Sequence, residues 1–254
     1  MVARSTAFVD LLHSYKKLEK IYLPNRKTSL PPTDIELELA RAFITLFHAE
    51  VEQYFESSCQ LMLDETTKQF NAGSITLAVL GLITFGKLDE RNSGDAIVPS
   101  QKKKVRKITE RFREAVTAHQ DAISKNHGIS QGYMACLFIP LGLTTHLVDP
   151  GWVSELQNLA EKRGGFAHKG RLTSEGQPGL DPKDAISYAR KVIHGVGGAA
   201  AGAKISSLKD FDNWSQEISG EKKLSSGRAS GYWGLKHRLG WWLIRKIGNS
   251  QRLP

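Results

Sequence analysis

Arg163 and His168 stand five positions apart in the run Arg163-Gly-Gly-Phe-Ala-His168. A guanidinium is a permanent cation that forks onto phosphate oxygens, and an imidazole gives and takes a proton near neutral pH. Together they supply what cleavage of an RNA phosphodiester needs without a metal: a cation at the phosphate and proton transfer at the entering and leaving oxygens. Their spacing raises a difficulty. On a continuous α-helix five positions turn about 500°, which leaves 163 and 168 about 140° apart. Either Gly164-Gly165 bends the chain, or two copies of the chain set two such pairs around one cleft. The plainer alternative is a surface arginine at a helix end beside a structural histidine.

Glu50 is a third candidate. Phe43, Phe47, Glu50 and Tyr54 follow at spacings of four, three and four, so they share one helix face. A carboxylate on or beside an apolar stripe is costly unless it is paired. Arg163 is a cation it would pair with; the alternative is an edge position that reaches water. His48 falls near the other side of that helix and reads as a surface or boundary residue.

The elements that must position these groups are all helical. Phe8, Leu11, Leu12, Tyr15, Leu18 and Tyr22 mark a first helix that Pro24 ends. Thr33-Asp-Ile-Glu36 is a capping-box pattern that opens a long helix to about Phe70, stopped by Asn71-Ala-Gly73. Ile75 to Leu88 gives an apolar helix, and Gln101 to Lys125 another long one, terminated by Asn126-His-Gly128. Asp149-Pro150 and Asp181-Pro182 each place an N-cap before a proline at the first helical position. The motif closes the first of these two helices; the second reaches about Gly195. The small-residue run that follows reads as a domain edge near residue 203. This divides the chain into a helical domain, 1–203, and a basic C-terminal extension, 204–254.

Composition narrows the classes. Apolar residues at 40% and charged residues at 24% fit a globular protein. No secretion signal stands at the N-terminus, so the expected location is the cytoplasm. The uncharged stretch 69–86 is broken by Asn71, Ser74, Thr76 and three glycines, which favours a buried helix over a membrane span. Cys59 and Cys136 both lie in apolar helical contexts and read as reduced core residues. No Cys/His cluster has zinc-ligand spacing, and neither a metal nor a cofactor is expected. The net charge is +9, of which 204–254 carries +6. A basic balance favours polyanions such as nucleic acid. Lys102, Lys103 and Lys104 at a helix start, with Lys169 and Arg171 beside the motif, are candidate RNA contacts; the alternative for the first three is a solvated face. In the tail, Tyr232 to Ile247 interleaves cations with Trp233, Trp241 and Trp242. That pattern suits base stacking, a membrane surface or packing on the bundle.

The order and spacing of several blocks resemble the HEPN superfamily, and most closely its RiboL-PSP-HEPN branch. The blocks are Arg41 to Tyr54, Asn126-His-Gly-Ile129, Phe138-Ile-Pro-Leu-Gly142, Leu147 to Trp152, and the Arg163-to-His168 motif, over roughly residues 35–195. The resemblance implies an all-α, HEPN-like bundle that forms a homodimer with a composite active site. It implies a metal-independent endoribonuclease of antiviral defence or a toxin–antitoxin system, with an antitoxin or other defence protein as a partner. Arg163 would hold the scissile phosphate, His168 would move the proton, and Glu50 would orient one of them. The alternative function is a non-catalytic nucleotide- or RNA-binding module of a larger defence complex. The paired glycine at 164 and 165 departs from the single small or polar residue of many relatives.

Overall fold

A computed structural model describes residues 4–24, 31–85, 108–168, 180–197 and 200–219, with backbone alone at 167 and 168. Eight α-helices stand among these: α1 Thr6–Tyr22, α2 Asp34–Asn71, α3 Leu77–Phe85, α4 Ile108–Ser124, α5 Gln131–Phe138, α6 Pro150–His168, α7 Pro182–His194 and α8 Leu208–Ser219. A single parallel bridge, Val148 to Ile205, is the β pairing among the described residues. No helix among them is long and apolar enough to cross a membrane.

The bundle is organised around α2, which touches every other helix. Its 38 residues begin at the expected capping box. The Thr33 amide donates to Glu36 Oε2 at 2.8 Å, and the Glu36 amide donates to Thr33 Oγ1 at 3.3 Å. At its other end Gly73 adopts a φ of +82° and turns the chain out of the helix. Along α2 the residues Phe43, Phe47, Val51 and Phe55 are fully buried at spacings of four. Phe43 and Phe47 meet Tyr15 of α1 edge-on. Phe55 meets Phe138 of α5 and Phe211 of α8 in the same way. Edge-to-face pairs of this kind add to the area they bury.

The Asp149 side chain caps α6 by accepting from the Trp152 amide at 2.9 Å. It also accepts from the Ala200 amide at 2.6 Å, which ties the small-residue run back onto the bundle. The Asp149 amide in turn donates to Ile205 O at 2.8 Å. Gly195 ends α7 at a φ of +88°, where a Cβ would lie 2.5 Å from Ser206 O. The chain is therefore tied to the bundle at Ala200 and Ile205, on both sides of the edge expected near 203. Ile205, Leu208 and Phe211 are fully buried, and the compact unit extends to Glu221. The aromatic tail at 232–247 lies outside the described residues.

The cysteines part company. Cys59 is buried as expected, whereas Cys136 is exposed on α5. Cys59 Sγ lies 3.3 Å from His119 Nε2. Burial pushes the thiol up and the imidazole down to about 4. Both are neutral near pH 7, so the pair is packing and not an activated nucleophile.

Candidate active site

Trp152, Leu156 and Leu159 form the fully buried stripe of α6, at spacings of four and three. Arg163 is the next position of that stripe, so the register carries it to the flank of α2, half-buried. The helix runs unbroken through Gly164 and Gly165 to His168. The space where either glycine would carry a Cβ is open. The bend, one of the two ways of joining the motif, is absent, and positions 163 and 168 keep the divergence of about 140°. His168 ends the helix; its side chain lies outside the described residues, as do Lys102, Lys103, Lys104, Lys169 and Arg171.

On α2, the groups that feel the charge of Arg163 are His48 and Glu52. His48 is 2% exposed, so its reading as a surface or boundary residue is corrected toward the core. Burial, with Arg163 second, drives its pKa down to about 4. Its Nδ1 lies 3.6 Å from Glu52 Oε2. With the imidazole neutral, that contact is a dipole facing a carboxyl and not an ion pair. Burial raises the pKa of Glu52, Glu56 adds to the rise, and Arg163 and His127 pull it back. Glu50 was the carboxyl expected beside Arg163; Glu52 is the one on α2 whose shift includes the charge of Arg163. Two positions on a helix turn about 200°, so Glu50, half-exposed, cannot share the face of His48 and Glu52.

The third wall is the loop between α4 and α5. Buried Asn126 donates from Nδ2 to Glu56 Oε1 at 2.9 Å. A Cβ on Gly128 would lie 2.8 Å from ring carbons of Tyr133, so the loop seats closely on α5. Ile129 is fully buried. Between these anchors His127 is exposed. At the end of α6, the Arg41 guanidinium stands 5.6 Å from the Phe166 ring centroid and donates to Glu38 Oε1 at 2.8 Å. Its Nε is buried with no partner among the described residues. The arrangement offers an anion two arginines, and offers a reacting oxygen an imidazole beside carboxyls.

The sequence reading set His48 aside and gave Arg41, Glu52, Asn126 and His127 no role of their own. The i, i+4, i+8 register of His48, Glu52 and Glu56 was the signal available for the α2 members. A cavity of about 440 Å³ between α5 and the start of α6 is lined by Gln131, Met134, Val153, Gln157 and other uncharged residues. No charged side chain stands in its walls.

The chain belongs to the RiboL-PSP-HEPN family, whose family model matches residues 9–196. The match takes in α2, the α4–α5 loop and the whole of α6. Membership suggests an RNase or a nucleotide-binding module. No curated protein and no solved structure matches the chain.

Proposed function

We propose that the protein is a metal-independent endoribonuclease that cleaves RNA through its own 2′-hydroxyl. The observation that carries this reading is Arg163, continuing the core stripe of α6 so that its charge bears on His48 and Glu52, in a chain of the RiboL-PSP-HEPN family. The Arg163 guanidinium binds the scissile phosphate and offsets the negative charge that grows on its oxygens. The 2′-oxygen attacks phosphorus as a base takes its proton. The bond from phosphorus to the 5′-oxygen breaks, and that oxygen receives a proton. The product is a 2′,3′-cyclic phosphate or its hydrolysed form. DNA lacks the nucleophile and is spared.

His168 is a proton-transfer residue in this reading. Because 163 and 168 diverge on an unbroken helix, a homodimer is the arrangement in which His168 of one copy serves Arg163 of the other. Glu52, in the place first given to Glu50, positions Arg163. Lys102, Lys103, Lys104, Lys169 and Arg171 track the RNA backbone. The setting is a cytoplasmic toxin–antitoxin or antiviral system in which a partner protein restrains the activity.

The test is cleavage of a labelled RNA in EDTA by wild type, Arg163→Ala and His168→Ala. Cleavage by wild type that both variants lose supports the reading. Cleavage at full rate by folded forms of both variants overturns it. Salt-dependent binding of RNA that stays intact identifies a binding module instead.

A further inference from the structure

We propose that His127 is a second proton-transfer residue of this site, supplied by the same copy of the chain as Arg163; the proposal rests on the endoribonuclease reading above. Three observations on the molecule carry it. The first is the unbroken course of α6, which separates positions 163 and 168 by about 140° around the helix. The second is the anchoring of the loop. Asn126 is fastened to Glu56 at 2.9 Å, Gly128 is fitted against Tyr133, and Ile129 is in the core. Between fixed neighbours the imidazole is held outward, with little conformational freedom in its backbone. The third is its company. His127 and Arg163, from two different elements, both act on Glu52, one helical turn from the Glu56 that fastens the loop.

Arg163 and His127 thus bring a phosphate clamp and a proton carrier from two elements to the neighbourhood of one carboxyl. The step assigned to His127 is the acid one, complementary to the base that takes the 2′-hydroxyl proton. Its imidazolium gives a proton to the 5′-oxygen while the P–O5′ bond breaks, and leaves as neutral imidazole. The charged and titratable groups around it are Glu52 and Glu56 from α2, Arg163 from α6, Tyr133 from α5, and Lys125 at the end of α4, which pairs with Asp121 at 3.8 Å. His48 does not take this role, because burial holds it neutral and covered.

The test compares two RNA substrates with the full-length chain: the natural linkage, and one whose leaving 5′-oxygen is replaced by sulfur, which departs without a proton. His127→Ala should slow the natural linkage by about 100-fold or more and cleave the sulfur linkage at close to the wild-type rate. It should also lose the high-pH limb of the pH–rate profile, since a general acid must be protonated to act. Arg163→Ala should slow both linkages. His127→Ala that cleaves the natural linkage within about twofold of wild type overturns the proposal. So does an equal loss on both linkages, which marks a binding or structural role. Wild type that cleaves neither linkage overturns the endoribonuclease reading itself, and this assignment with it. Because His127 is exposed, thermal melting should show the variant folded.

Discussion

Two faces of α2 carry buried polar groups, and they are built in opposite ways. Toward α1 and α8, Asp212 is fully buried. Its carboxyl takes the Ser5 hydroxyl, the Gln216 amide at 2.8 Å and the Tyr54 hydroxyl at 3.5 Å, with Arg4 at 3.7 Å. Toward α6 and the α4–α5 loop, His48 Nδ1, Arg41 Nε and Asn126 Oδ1 are buried without a hydrogen-bond partner among the described residues. A saturated network fixes one structure, whereas unspent hydrogen-bonding capacity beside shifted titratable groups makes the second face the candidate for a ligand site. Arg163 bears on that second face through His48 and Glu52. Substitutions on the two faces should therefore fail in different ways.

The largest expected effect is on catalysis. Arg163→Ala should cut RNA cleavage by about 100- to 1,000-fold while the melting temperature moves by only a few degrees. Asp212→Ala should do the reverse. It strips the acceptor from Ser5, Gln216, Tyr54 and Arg4 in a buried place, at a cost of about 3 kcal/mol. That is a fall of roughly 6–12 °C in a chain of this size. Melting curves and single-turnover cleavage on the same preparations check both. If Arg163→Ala unfolds the protein as badly as Asp212→Ala, the contrast between the faces is lost.

Acid should probe the same difference through stability. His48 and His119 have folded-state pKa values near 4 against 6.5 as model values. Below 6.5 the unfolded chain takes up protons that the folded one refuses. Their contribution is therefore intact above that pH and is lost as pH falls toward 4, by roughly 3 kcal/mol each at most. Denaturant unfolding at pH 7 and pH 5 should show the drop. His48→Gln should shrink it by its own share, without moving the part that belongs to His119. An unchanged pH dependence in His48→Gln would mean that the fold does not lower the pKa of His48.

The backbone of this design was legible because its signals are local. The Thr33 capping box, the stop at Gly73 and the two Asp-Pro starts are each decided within four residues. Helix α8 was not, although Ser207 caps it by accepting from the Asp210 amide at 3.1 Å. Its signal lies behind a Gly/Ala run that has the composition of a linker and is instead held down by Asp149. The candidate site was harder to place. Glu50 was singled out because it borders the aromatic stripe, whereas the carboxyl whose shift includes the charge of Arg163 is Glu52. That stripe faces α1, and the sequence does not say which flank α6 takes. The setting of His127 was hidden for a related reason: Asn-His-Gly reads as a helix stop, and the hydrogen bond that anchors the loop runs to Glu56, 70 residues away.

The paired glycine gives the finest test of how the motif is divided. Gly164 and Gly165 lie inside an intact helix with open space where a Cβ would go. Each costs the helix about 0.5–1 kcal/mol relative to alanine. Gly164→Ala and Gly165→Ala should therefore raise the melting temperature by roughly 1–4 °C each. If positions 163 and 168 serve different sides of a straight helix, neither change should lower the rate of cleavage by more than about twofold, since the helix they stiffen is already formed. If the helix must instead bend at the glycines for His168 to reach the phosphate held by Arg163, the double variant should be more stable and markedly slower. Stability and rate moving in opposite directions would return the motif to one copy and remove the need for His127.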